Sequence, residues 1–159
     1  MRNPILLDNT VLSNLALVGQ MDLVFRLWAG RVVSTPEVLN EYEAAARVGL
    51  LPTRAWTDLP VVELTSQEVA ISETFSRRLG RGERSCLAVT HSRGGLFASD
   101  DADARAAARQ LGVPVTGTLG ILALAVRREL LTLAQANALL ADMVAAGYRS
   151  PMEGLDTLV

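Results

Sequence analysis

The chain predicts an α/β fold with a central, mostly parallel sheet in a three-layer sandwich. Three observations carry that expectation. Short apolar runs alternate with longer helix-patterned segments along the chain, as in a parallel sheet with crossover helices. Two of the runs, Ile5-Leu6-Leu7 and Leu96-Phe97-Ala98, stop abruptly at acids, Asp8 and Ser99-Asp100-Asp101, and pass directly into helix-patterned sequence. Helix starts are also well marked, by Thr35-Pro36, Thr65-x-x-Glu68 and Thr132-x-x-Gln135. In a parallel sheet the acidic junctions fall at the carboxyl ends of strands, where ligands bind.

In chain order, Ile5 to Leu7 reads as a strand ending at Asp8. Thr10 or Asn9 is then placed to cap a helix carrying Val11, Leu12, Leu15 and Val18. Leu23, Val24, Leu27 and Trp28 suggest a short second helix ended by Gly30, and Val32-Val33-Ser34 a second strand. Thr35 and Pro36 open a helix to about Arg47. Val61 to Leu64 reads as an edge strand, and the Thr65 capping box opens a helix to about Leu79 with Gly80 as its terminator. After Arg81-Gly82-Glu83 comes a helix apolar on all sides at Cys86-Leu87-Ala88-Val89, ended by Gly94-Gly95. Beyond the strand at Leu96 and the Arg105/Arg109 helix, Val113 to Val115 is a strand and Leu119 to Arg128 a helix. Thr132 caps a last helix to Ala146. The reading is one domain over residues 1–149, followed by a loosely ordered tail, 150–159.

Composition narrows the class. No apolar run spans a bilayer, and the first twenty residues lack the charged and apolar regions of a signal peptide. A single cysteine, Cys86, forms no intrachain disulfide and suits a reducing, cytoplasmic setting. The net charge of −2 hides an asymmetry: residues 77–109 carry seven arginines against four acids. All fifteen basic residues are arginine, which excludes mechanisms that need a lysine.

The acids concentrate the chemical interest. Asp8 ends a buried strand; Glu41 borders the apolar face of the Thr35 helix, with Glu37 at i−4 as a like-charge neighbour that a cation would relieve. Glu83 lies in the first turn of the most apolar helix, close to Cys86 and Leu87. With Asp100 and Asp101, these acids suit hard, oxygen-preferring cations such as Mg²⁺ or Mn²⁺ rather than zinc, there being one histidine in the chain. Arg81, Arg84 and Arg105 flank the acids and are placed to grip phosphates, whereas a solvated helix face is the plain alternative. His91, Cys86 and Asp103 read as structural, and Trp28 and Trp56 as covers of the core.

Leu6-Leu7-Asp8 with Leu12-x-Asn14-Leu15, then Pro36-Glu37-Val38-x-x-Glu41, Leu79-Gly80-x-Gly82-Glu83, Ser99-Asp100-Asp101-x-x-Ala104-Arg105 and Gly117-Thr118-Leu119-Gly120 occur in order. In this the chain, over residues 4 to 148, resembles PIN-domain proteins, in particular VapC-type toxin ribonucleases. The resemblance implies a PIN-like fold and Mg²⁺- or Mn²⁺-dependent hydrolysis of RNA. Its acidic site maps onto Asp8, Glu41, Glu83 and Asp101, with Asp100 as an alternative or supporting ligand and Thr10 and Ser99 as supporting hydroxyls. The family's usual hydroxyl directly after the first aspartate is Asn9 here, and an aspartate is commoner where Glu83 stands. An antitoxin partner is implied by the toxin branch. A homodimer is expected from apolar residues at Leu131, Leu133, Leu139, Leu140, Met143 and Val144.

Two other classes compete. A non-catalytic PIN-like module would bind RNA or protein by shape. A haloacid-dehalogenase-like phosphatase is mimicked by Leu6-Leu7-Asp8-Asn9-Thr10-Val11, but Thr10 stands where a second aspartate belongs and the chain has no lysine. Asp100 and Asp101 should face opposite ways, so one of them serves the site; the family pattern selects Asp101.

Overall fold

The computed structural model describes residues 3–159; Met1 and Arg2, the start of the expected 1–149 span, lie outside the described residues. Four strands, β1 (Ile5–Leu7), β2 (Val32–Val33), β3 (Leu96–Ala98) and β4 (Val115–Thr116), pair in the order β2-β1-β3-β4. Every pairing is parallel, with Ile5 against Leu96 and Leu7 against Ala98 in the central pair. Consecutive strand side chains point to opposite faces, and Ile5, Leu6 and Leu7 are all buried, so both faces of β1 are covered.

The helices supply the cover: α1 (Asn9–Leu17), α2 (Asp22–Leu27), α3 (Pro36–Arg47), α4 (Ser66–Thr74), α5 (Arg81–Arg93), α6 (Ala102–Gln110), α7 (Thr118–Arg127) and α8 (Leu133–Ala145). Helices α3, α4 and α5 pack together, with α5 also against β1 and β3; α7 packs on α2 and α8, and α1 touches both groups. The core is continuous, from Phe97 and Leu87 in the centre to Ile121, Leu140 and Met143. Trp56 is buried and donates its Nε1–H to the Leu12 carbonyl, while Trp28 packs at the edge of the same core.

Strand order reverses between β1 and β3: the chain passes from β1 to one edge and from β3 to the other. A crevice outside the carboxyl ends of the strands at such a switch point is the usual ligand position in open α/β sheets. Asp8 and Ser99-Asp100-Asp101 lie there, directly after β1 and β3.

Several boundaries differ from the sequence reading, each for a local reason. Asp8, rather than Asn9 or Thr10, caps α1, because its own carboxylate accepts from Asn9 N at 2.6 Å. Residues 61–64 form no strand; only a Ser34–Val61 parallel bridge survives, next to Pro60, which has no N–H for a ladder. Helix α4 stops at Thr74 instead of Leu79: Ser72 and Thr74 turn their hydroxyls onto the carbonyls of Val69 and Ile71, competing with helix continuation. Gly80 therefore starts α5 rather than ending α4. Strand β4 shifts to Val115–Thr116, with Pro114 contributing only its carbonyl, to Phe97 N. The segment from Ser150 has no helix or strand, yet Leu155 is fully buried and its N–H donates to Asn137, so the tail is anchored at that point.

The surplus of apolar residues in the last third is spent internally. Leu140 and Met143 are buried, Leu131, Leu133 and Leu139 pack against the core, and only Val144 of the six is exposed. They do not form the free apolar face from which a homodimer was expected.

Glu68, 3% exposed, ties α4 to α5. Its carboxylate takes two hydrogen bonds from Arg93, at 2.7 and 2.9 Å, and closes the capping box on Thr65. Burial alone would raise its pKa; Arg93 and Thr65 outweigh it and hold the carboxyl below its ordinary value. Glu68→Ala is expected to lower the urea unfolding free energy by about 3 kcal/mol, since it removes a cap and strands a half-buried guanidinium. A loss below about 0.5 kcal/mol would show the pair to be dispensable.

Candidate active site

The site begins with a hydroxyl. Ser99, fully buried after β3, donates its Oγ–H to Asp8 Oδ2 at 2.6 Å and accepts from Asp101 N at 3.1 Å. Asp8 N in turn donates to the Ala98 carbonyl at 2.9 Å, so the ends of β1 and β3 are pinned by both backbone and side chain. Asp8 is 1% exposed. Burial pushes its carboxyl up to about 6, against the hydrogen bonds from Ser99, Asn9 and Thr10, and the charge of Glu41 adds to the rise.

Glu41 and Glu83 enter from the helices beside the sheet. Thr35, whose hydroxyl accepts from Val38 N at 3.3 Å, starts α3 just beyond β2 and so sets the position of Glu41. Glu41 Oε1 accepts from Gly82 N at 2.9 Å. A Cβ on residue 82 would lie 2.8 Å from that oxygen and 3.0 Å from Val38, so glycine is what lets the two helices approach. Glu83, half-buried in the first turn of α5, accepts from Gly80 N at 2.9 Å. Burial first, and then the charges of Asp8, Asp101 and Glu41, push its pKa up to about 7 against the hydrogen bond from Gly80 N. Four acids predicted from sequence thus share one electrostatic neighbourhood.

Asp100 and Asp101 diverge as strand alternation requires. Asp101 caps α6, accepting from Ala104 N at 2.8 Å, and its charge acts on Glu83. Asp100 is committed elsewhere: it accepts from Thr118 N at 2.8 Å, Thr118 Oγ at 2.5 Å and Asn14 Nδ2 at 3.0 Å. That network ties α1 and α7 to the end of β3, and a Cβ at Gly117 would sit 2.5 Å from Asp100 Oδ1. With both oxygens occupied, Asp100 acts as a latch. The sequence motifs contain Asn14 and Thr118 but assign them no role; the signal that marks the first is a polar side chain at position 14 among Val11, Leu12 and Leu15, a helix face that is otherwise buried.

The remaining candidates separate similarly. Thr10 donates to Asp8 Oδ2 at 3.2 Å and accepts from Asp100 N at 2.9 Å, joining the acids on either side of it. Arg105 uses Nη1 to hold the Ser99 carbonyl at 2.9 Å, supporting the strand end. Arg81 is exposed and Arg84 half-buried, both on the first turns of α5. His91 is exposed in the last turn of α5 and Cys86 is sealed in the core, its thiol pushed up by burial.

The DUF3368 family model, described as a PIN domain, matches residues 4–158. The chain belongs to the PIN-domain family. PIN domains are generally nucleases, and membership sets aside the haloacid-dehalogenase-like phosphatase. No curated protein and no solved structure matches the chain. Among the described residues no helix is long and apolar enough to cross a membrane.

PIN nucleases typically use Mg²⁺ or Mn²⁺. The donor chemistry here fits such an ion: oxygen ligands only, two of them with the charged form disfavoured by burial and by neighbouring carboxylates, which a cation would offset. Among the described residues no three His, Cys, Asp or Glu side chains are yet close enough to hold an ion. Glu41, Glu83 and Asp101 each spend a carboxylate oxygen on a backbone N–H.

In the metal-free protein these acids should make stability pH-dependent. Unfolded carboxyls lose their protons near pH 4, whereas Asp8 and Glu83 retain theirs to about 6 and 7 in the fold. Between those limits the folded state binds more protons, so the contribution present at low pH is lost as pH rises. With chelator present, urea unfolding of wild type and Glu83→Gln at pH 5 and pH 8 should show a steeper fall in wild type, by about 2 kcal/mol after allowance for partial exposure. Parallel behaviour of the two proteins would remove the electrostatic coupling of Glu83.

Proposed function

We propose that the chain is a Mg²⁺- or Mn²⁺-dependent endoribonuclease that hydrolyses RNA phosphodiesters. The observation that carries this reading is the common electrostatic neighbourhood of Asp8, Glu41, Glu83 and Asp101 at the β1–β3 switch point. Asp8, Glu83 and Asp101 are the residues that would hold the cation, with Glu41 beside them; Asp100 holds the scaffold. When bound, the ion supplies Lewis acidity, lowering the pKa of a water and offsetting charge on the phosphoryl oxygens. Ser99 fixes the orientation of Asp8, and Arg81 and Arg84 are placed to bind substrate phosphates. The carboxylates serve as ligands, so no covalent protein intermediate is involved.

A role as the toxin of a toxin–antitoxin pair extends the same reading. The exposed Val48 and Leu50, near a groove lined by Leu39, Tyr42 and Trp56, are the apolar surface that supports an antitoxin-like segment or a second copy of the chain as partner. The competing reading is a non-catalytic PIN-like module that binds RNA or a protein, favoured by one feature: the acids are already bonded to backbone N–H groups and do not converge.

Cleavage of a mixed single-stranded RNA pool with Mn²⁺ decides between them. Wild type should cut, Asp8→Asn should lose at least about 100-fold, and Ser99→Ala, which releases Asp8 and the Asp101 N–H but keeps every acid, about tenfold. Mn²⁺ should also raise the melting temperature of wild type at pH 8 but not that of Asp8→Asn. Equal cleavage by wild type and Asp8→Asn would sink the nuclease reading, and a wild type that binds RNA without cutting it would establish the module.

A further inference from the structure

A cavity of about 260 Å³ between α3, α4 and α5 lies beside the acid cluster and contains none of its four residues. Glu37 lines it, one helical turn before Glu41 on the same face of α3 and about 6 Å away along the axis. Among the described residues, Glu37 Oε2 is the one buried side-chain oxygen or nitrogen without a hydrogen-bond partner. A buried acceptor left in that state is destabilising, the more so when it is charged, and a donor brought by a ligand would relieve it. The remaining walls have two kinds of chemistry. Leu64 and Val69 offer apolar surface, whereas Arg77, Arg81 and Arg84 bring three guanidiniums, none ion-paired among the described residues. Glu73 stands exposed at the same cavity.

A ligand matching these walls needs N–H donors for Glu37, a flat apolar body for Leu64 and Val69, and an anion for the arginines. A nucleotide carries all three within one residue. Among the bases, guanine alone presents two adjacent donors, N1–H and the N2 amino group, to the two oxygens of a carboxylate. Adenine and cytosine set a ring acceptor beside their amino group, and uracil sets its single N–H between two carbonyls. Single-stranded RNA is read in this manner, by splayed bases that stack and hydrogen-bond on their edges. We propose that the cavity binds a guanine nucleotide of single-stranded RNA, with Glu37 on the base edge and Arg77, Arg81 and Arg84 on the phosphate. The proposal rests on the ribonuclease reading for its substrate, and places guanine next to the acids because the cavity shares α3 and the first turn of α5 with Glu41 and Glu83.

Isothermal titration of the full chain in chelator with GMP, AMP, CMP and UMP tests it without metal or cleavage. GMP should bind about tenfold more tightly than the other three, the discrimination expected of one bidentate pair. Glu37→Gln should bring GMP to within about threefold of AMP, and the Arg81→Gln/Arg84→Gln pair should weaken all four about tenfold while keeping their order. Equal binding of the four nucleotides, binding of none, or a guanine preference that survives Glu37→Gln overturns the proposal. If Glu37→Gln does not fold, the wild-type order and the arginine variant decide. A chain that prefers GMP but cuts no RNA keeps the cavity and loses the nuclease reading; a Mn²⁺-dependent nuclease indifferent to the base does the reverse.

Discussion

Two buried groups, the Ser99 hydroxyl and the Asp8 carboxylate, meet where β1 and β3 end, and the site depends on that contact. The central sheet is short: three residues in each of the inner strands and two in each of the outer. So few ladder bonds leave the relative placement of the strand ends to side chains. Ser99 links Asp8 to the backbone of Asp101, and Thr10 links Asp8 to that of Asp100. The Asp100 network with Thr118 and Asn14 then draws α1 and α7 to the same point. Buried polar networks are stabilising only when their members are satisfied, and this one is closed.

The arrangement concentrates negative charge where it is least welcome. Asp8 and Glu83 are both driven towards the protonated form, by burial first, and then by the charge of Glu41 on Asp8 and the charges of Asp8, Asp101 and Glu41 on Glu83. A fold selected for stability alone would replace such acids with neutral groups of similar shape. Titratable groups shifted by burial and by neighbouring charge, gathered at one point of a fold, are the pattern found at functional sites. Backbone N–H groups of Gly80, Gly82 and Ala104 meanwhile hold Glu83, Glu41 and Asp101 in defined places. The same helix starts that create the like-charge problem therefore restrain it.

Elements with strong local chemistry were legible in the sequence. Thr35-Pro36 and the capping boxes at Thr65 and Thr132 placed three helix starts, because a hydroxyl meeting an N–H three residues on is a short-range event. The failures lie where a local signal meets a longer-range one. Gly80 reads as a helix stop or a helix start with equal ease, and only the hydroxyls of Ser72 and Thr74 end α4 first. Val61 to Leu64 has strand composition, but its one backbone ladder bond runs from Val62 N to the Ser34 carbonyl, and the Glu63 carbonyl is taken by the Arg93 side chain. The apolar residues of α8 could not be divided between core and surface without knowing that α7 lies against them.

The sequence by itself determined the alternation of strand and helix, the acids at the ends of two strands, and the divergence of Asp100 from Asp101, since a period of two is built into extended backbone. Strand order was decided only by the tertiary structure. With β1 and β3 adjacent, residues more than ninety positions apart come within hydrogen-bond reach, as Asp8 and Ser99 do. Packing likewise made Asp100 a latch, through Asn14 and Thr118 on two distant helices, and left Glu37 without a partner beside three arginines. Such contacts depend on which helix faces cross the sheet ends, a property of packing that no window of sequence contains.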